Sequence, residues 1–144
     1  MKLKIIIDRS RDEEILIVSH ERTKLIEDIE LLVENSVKEI AGYTEGEIRK
    51  LVLAQVCCFI IENNKVYAMS GKDKFLIKLR FYQLEEMLDS RFIKINQSCI
   101  ANINEIRKFD TSITGTLKVI FKNGYSDYVS RRNIRTVKER LGVK

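Results

Sequence analysis

Proline is missing from all 144 residues, and no Gly/Ser-rich tract, low-complexity stretch or fixed-period repeat marks a linker in its place. Domain boundaries must be read from changes of pattern. One histidine, His20, is present, so a His-dependent catalytic triad would have to use a residue at the entrance of an expected helix. Cysteine is scarce: Cys57 and Cys58 adjoin and Cys99 is distant, giving neither a CxxC pair nor an even disulfide set. That argues against a structural zinc site. Thiols inside apolar strand patterns read as small buried hydrophobes, with a redox switch as the alternative. Long apolar runs are lacking too. The longest, Leu51 to Ile61, is interrupted by Gln55 and falls short of the ~18 residues that span a bilayer. The opening MKLKIIIDRS has only three consecutive isoleucines before Asp8, without the apolar core or cleavage site of a secretory signal. A cytoplasmic protein is expected. No Gly-rich phosphate loop, HExxH or GxSxG motif occurs, so neither an enzyme nor a cofactor, a metal or a small-molecule substrate is expected.

Charge is plentiful but uneven. Residues 1–50 carry a net −3 and residues 51–144 a net +8, within the total of +5. Such asymmetry suggests a polyanion-binding part joined to a part with another task. Lys2 to Ile7 and Glu14 to Val18 read as short strands. Ser19 is the expected cap of a helix over Glu21 to Val37, with Leu25, Ile26, Ile29, Leu32, Val33 and Val37 on one face and Glu27, Asp28, Glu30 and Glu34 outside. That stripe either closes the body as core or meets a partner.

From Lys38 the pattern turns to short strands: Lys38–Tyr43, Glu47–Leu53, Val56–Glu62, Lys65–Ser70 and Lys74–Leu79. A helix, Phe81–Leu88, is followed by strands at Arg91–Ile95, Ser98–Ala101, Asn104–Phe109, Thr116–Lys122 and Tyr125–Val129. Asn63-Asn64 and Gly71-Lys72-Asp73 suit hairpin turns, and Asn123-Gly124 is a type I′ signal. A last helix is expected from the Ser130 cap to Gly142, with Ile134, Val137 and Leu141 inward. The body is mainly β, antiparallel, with helices at the periphery.

Asn and Gln side chains can pair with both the donor and the acceptor of an adenine edge, and Arg with guanine, so these residues on turns are chemically suited to reading bases. Asn96-Gln97 and Arg131-Arg132 meet that description. A polar turn satisfying its own backbone is the other reading of Asn96-Gln97.

Residues 38–142 resemble the LytTR family of bacterial DNA-binding domains. The resemblance rests on the short helix at Phe81 to Leu88, the segment Phe92-Ile93-Lys94-Ile95-Asn96-Gln97-Ser98-Cys99-Ile100-Ala101-Asn102, Ile106, the Asn123-Gly124 hairpin and the closing Val129-Ser130-Arg131-Arg132. It implies an antiparallel LytTR-type β fold that sets loops, not a recognition helix, into successive major grooves and bends the duplex. Asn96 and Gln97 would then lie in the base-contacting loop, Lys65 at a basic contact in an earlier hairpin and Arg132 at a closing contact, with Arg131 beside it. Many members carry a histidine or second basic residue at the Asn96-Gln97 pair, where this chain has two neutral amides. Asn102 matches a characteristic asparagine and, following an apolar strand, is expected to bond within the structure.

The resemblance also implies a regulator without a receiver, since the 37 residues before the domain are too few for one. They are expected to form a β-β-α extension (1–37) ahead of the DNA-binding domain (38–144), as in stand-alone members, some of which are paired with small membrane proteins that restrain them. The partners that fit are double-stranded DNA, a second copy of the chain or such a membrane protein. The alternatives are a β-rich RNA or single-strand binder, and a protein-interaction adaptor without DNA affinity. The former should present aromatics for stacking; Phe59, Phe75, Phe92 and Phe121 fall inside apolar strand patterns instead.

Overall fold

A computed structural model describes residues 1–35 and 39–142. The chain separates into two units, Met1–Val33 and Glu34–Lys144. The expected boundary between 37 and 38, and the apolar position Val37, lie outside the described residues.

The first unit corrects part of the sequence reading. Neither Lys2–Ile7 nor Glu14–Val18 is a strand. Two short strands without a third strand or a covered face are marginal in water, and Leu3, Ile5, Ile6, Ile7, Ile15, Leu16 and Val18 are all exposed. Helix α1 is present as Lys24–Asn35. Its first turn is met by Thr23, whose hydroxyl accepts from the Ile26 amide at 3.3 Å. Ser19 bonds instead to Glu21. Of the apolar stripe, Ile26 is buried, while Leu25 is 50% and Leu32 69% exposed.

The second unit is antiparallel throughout. Strands β1 (Glu39–Thr44), β2 (Glu47–Val52), β3 (Cys58–Glu62), β4 (Lys65–Ser70), β5 (Asp73–Ile77), β6 (Phe92–Asn96) and β7 (Cys99–Asn102) form one sheet in the order β2-β1-β5-β4-β3-β7-β6. Neighbours in space are neighbours in sequence except at two seams, β1 with β5 and β3 with β7. A smaller sheet is ordered β10-β9-β8, from β8 (Ile106–Asp110), β9 (Lys118–Phe121) and β10 (Ser126–Tyr128). Helix α2 (Phe81–Met87) precedes β6, and α3 (Arg131–Arg140) follows β10.

Alternation along each strand splits the apolar residues between two faces. One face gathers Phe59, Ala68, Phe75, Ile77, Phe92 and Ile100 beneath Phe81 and Leu84 of α2. The other gathers Cys58, Ile60, Ile95 and Cys99 against Val119 and Phe121 of β9 and Val137 of α3. The smaller sheet covers only one part of that second face. Lys74, Lys78, Ala41, Ile48 and Lys50, which alternate with the core residues of β5, β1 and β2, are exposed. Gly42 sits where a Cβ would come within 2.6 Å of Leu51 and 2.8 Å of Phe75, so β1 approaches its neighbours closely only because no side chain is there.

Asn102, fully buried at the end of β7, ties distant segments together. Its amide donates to the Val56 carbonyl at 2.9 Å and the Ala54 carbonyl at 3.3 Å, and its oxygen accepts from the Asn104 amide at 3.0 Å. The expectation that it bonds within the structure holds. The expected strand Asn104–Phe109 begins two residues late, because Ile103–Glu105 is a 3-10 turn that this oxygen caps.

Candidate nucleic-acid interface

Three pieces of chain converge at one end of the larger sheet. The first is the β3–β4 turn, where Asn63 and Asn64 have φ of 51° and 63°, the pair of positive values that a type I′ turn needs. This is where the I′ geometry falls. At Asn123-Gly124 only Gly124 has positive φ, 92°. The second piece is the Asn96-Gln97-Ser98 connection between β6 and β7, which begins after a register shift between Lys94 and Asn96. The third is the start of α3. The Ile61 amide bonds the Ser98 carbonyl at 3.0 Å and the Ser130 amide bonds the Ile95 carbonyl at 2.8 Å, so the backbone itself fastens both outer pieces to the middle turn.

Asn96 completes that fastening. Its amide nitrogen donates to the Tyr128 carbonyl at 2.8 Å, and its oxygen accepts from the Ser98 amide at 2.7 Å. Both ends of the side chain are thus engaged within the protein. Gln97, next in sequence, is exposed, and so are Lys65, Arg131 and Arg132. The five residues expected at the site are therefore gathered at one end of the fold, but they are not equivalent. Ser130 occupies the N-cap position of α3 as expected, with extended backbone, yet its side chain makes no capping bond and its buried hydroxyl has no partner among the described residues. The first turn of α3 thus presents main-chain N–H donors beside two arginines, an arrangement that favours anions.

The pattern of the sequence did not single out Arg91. It is buried against Asp89, which its guanidinium meets at 2.6 and 2.9 Å while its amide bonds the same carboxylate at 3.0 Å. One terminal nitrogen of Arg91 is buried without a partner among the described residues. Arg140 of α3 donates to the Ser90 carbonyl in this loop, fixing the far end of the helix. A charged residue just before a strand looks exposed in sequence; nothing local announces its burial.

The three cysteines are free and buried. Hydrogen bonding with Cys58, then burial, pushes the Cys57 thiol far above its ordinary pKa. At Cys58 the bond from Cys57 acts downward but is outweighed by the bond with Cys99 and by burial, which push the thiol up. Such thiols are poor nucleophiles at neutral pH, which fits their packing role. Among the described residues no His, Cys, Asp and Glu group could hold a metal ion, and no helix is long and apolar enough to cross a membrane.

The LytTr DNA-binding domain family matches residues 46–142. An uncharacterized HTH-type transcriptional regulator of Staphylococcus aureus strain NCTC 8325 is 30% identical, with 99% of each chain covered. Another, from strain MSSA476, is 35% identical over 72% of this chain and 71% of its own length. A Bacillus cereus structure described as the LytTr DNA-binding domain of a response regulator superposes with a TM-score of 0.67 at 19% identity, covering 72% of this chain and 96% of that one. Among the described residues no two α-helices are consecutive, so the candidate site consists of turns of a sheet and one helix start. From its sequence match over residues 46–142 and its shared antiparallel fold, the chain belongs to the LytTR DNA-binding domain family.

Proposed function

We propose that the chain is a sequence-specific transcription regulator that reads successive major grooves of a DNA duplex through turns on a β scaffold. The observation that carries this reading is the gathering of two turns and the start of α3 at one sheet end, with Gln97, Lys65, Arg131 and Arg132 exposed there. Gln97 is suited to paired hydrogen bonds with an adenine edge, and Arg132 with guanine. Lys65 and Arg131 supply phosphate contacts that position the duplex. Asn96, whose amide is already engaged, holds the reading turn in shape. The burial of Phe59, Phe75, Phe92 and Phe121 speaks against an aromatic single-strand platform. The protein acts in the cytoplasm as a regulator rather than as an enzyme.

The test is selection of bound sequences from a random duplex pool, followed by anisotropy titrations of the winner over a range of salt. One consensus should emerge. With about five phosphates neutralised, log K should fall with a slope near −4.5 against log salt. No enrichment, or a flat salt dependence, overturns the reading.

We assign residues 1–37 to contact with a second copy of the chain and residues 38–144 to DNA. Exposed Leu3, Ile5, Ile7, Leu16, Leu25 and Leu32 support this, since large apolar side chains left open to water in that number mark interfaces. Glu27 and Asp28 make the helix unsuited to DNA. Sedimentation should give a dimer that Leu25→Glu with Leu32→Glu dissociates. A monomeric wild type would overturn the assignment, and capture of a small membrane protein by the extension would replace it.

A further inference from the structure

We propose that Lys50, Lys65 and Lys78 form a phosphate-binding row across the uncovered sheet face, which carries the duplex beyond the bases read by the turns. The proposal rests on the duplex-binding reading above and names the site's extension.

The register builds the row. Residues directly opposite in an antiparallel ladder lie on one face. Glu62 is opposite Lys65, and the β4–β5 ladder ends with Val66 opposite Ile77, so Lys65 and Lys78 are the residues next beyond that last pair, on the face opposite to it. Tyr43 is opposite Leu76, which sets Ala41 beside Lys78, and Ala41 is opposite Lys50. The row thus runs over β4, β5, β1 and β2, starting at the hairpin that adjoins the Asn96–Ser98 turn. A parallel row, Tyr67, Leu76, Tyr43 and Ile48, lies beside it on the same face, and Ile48 is 71% exposed.

The tyrosines favour phosphate over stacked bases as the occupant. The Lys78 ammonium stands 4.2 Å from the Tyr43 ring centroid and that of Lys74 stands 4.8 Å from Tyr67, so both rings are already capped by cations. A ring that steadies a lysine lowers the ordering cost of a charge contact. Carboxylates facing the row are few. Glu62 is paired with Lys74, and Glu39 lies at the margin, opposite Val52. Among the described residues no carboxylate is within ion-pair distance of Lys50, Lys65 or Lys78. With strands about 4.8 Å apart, the three steps from β4 to β2 span about 14 Å. A duplex strand advances ~3.4 Å per nucleotide, so the row matches roughly four nucleotides of flank.

The experiment uses the full chain and its selected duplex in two lengths, one ending at the consensus and one extended by six base pairs on either side in turn. Wild type should bind one extended duplex at least fivefold tighter than the short one. Lys50→Gln with Lys78→Gln should abolish that gain, keep short-duplex affinity and reduce the salt slope on the long duplex by about 1.8. Lys72→Gln, in the turn at the opposite end of β4 and β5, should leave the gain intact. Circular dichroism and melting check that each variant is folded. Equal gains in wild type and the double variant overturn the row. Loss of single-strand binding by the double variant, with duplex binding intact, overturns it in favour of a single strand. Failure of wild type to bind any duplex instead defeats the underlying reading.

Discussion

Replacing Asn96 and replacing Gln97 should have opposite consequences, although the residues are adjacent in one turn. Asn96→Ala removes the acceptor of the Ser98 amide and the donor to the Tyr128 carbonyl. An intramolecular hydrogen bond contributes a net 0.5 to 1.5 kcal/mol. The site is half-buried, and water will reach part of what is left unpaired, so the expected loss is about 1 to 2 kcal/mol. For a chain of this length that lowers Tm by roughly 3 to 6 °C. Gln97→Ala, at an exposed position, should alter stability by no more than about 0.5 kcal/mol. Its cost should fall on discrimination: one lost bidentate contact is worth ~1 to 3 kcal/mol, or roughly 5- to 150-fold against the correct base. Calorimetry on both variants, with competition binding against base-substituted duplexes, separates the roles. An Asn96→Ala protein that melts like wild type but loses preference at one base would refute the reasoning, because its amide would then turn outward to read DNA.

Arg132→Ala should cost ~1 to 3 kcal/mol and relax preference at one base position, whereas Lys65→Ala should weaken all duplexes alike and reduce the salt slope by about 0.9. Uniform losses for both in anisotropy titrations would make Arg132 a phosphate contact. Arg91→Met removes the guanidinium half of a buried ion pair with Asp89 and should destabilise by about 3 kcal/mol in urea unfolding; a loss below 1 kcal/mol would show that the loop relaxes around the change. The folded-state pKa values of Cys57 and Cys58 lie above the unfolded value near 8.5. Their contribution is complete below that pH and declines above it by up to about 1.4 kcal/mol per thiol per pH unit. Urea unfolding at pH 7.5 and pH 10 should therefore show a smaller alkaline drop for Cys57→Ala with Cys58→Ala than for wild type, and an equal drop would contradict the assignment.

Where alternation and turn chemistry agree locally, the sequence is easily read. The bounds of β4 were legible to the residue because Asn63-Asn64 and Gly71 punctuate it, and α2 was legible from Phe81 and Leu84. The extension was not. Its isoleucine runs have strand composition, but a strand needs a neighbour that no local pattern supplies. The I′ turn fell at Asn63-Asn64, since Gly124 follows its own hydrogen bond from the Gly124 amide to Phe121 at 3.0 Å. The candidate residues are legible in the sequence, but which of their side chains the fold engages internally is not. Asn96 is occupied by a carbonyl 32 positions away, and a pairing of that range leaves no trace in spacing. The lysine row is likewise visible only once the strand register is known.

The seam between β3 and β7 constrains how the protein is made. β3 is among the most apolar strands of the chain and pairs with β4 on one side as soon as the following hairpin emerges. Its other edge waits for Cys99, Ile100 and Ala101, about 40 residues later. At ribosomal speeds of roughly 5 to 20 residues per second, that edge stays open for about 2 to 8 seconds. A nascent chain halted between β5 and β7 would expose an unpaired apolar strand with no charged residue before Glu62 to guard it, the kind of edge on which other chains add. Messages broken in this interval should yield insoluble fragments, whereas breaks after β7 leave a sheet whose seams are closed.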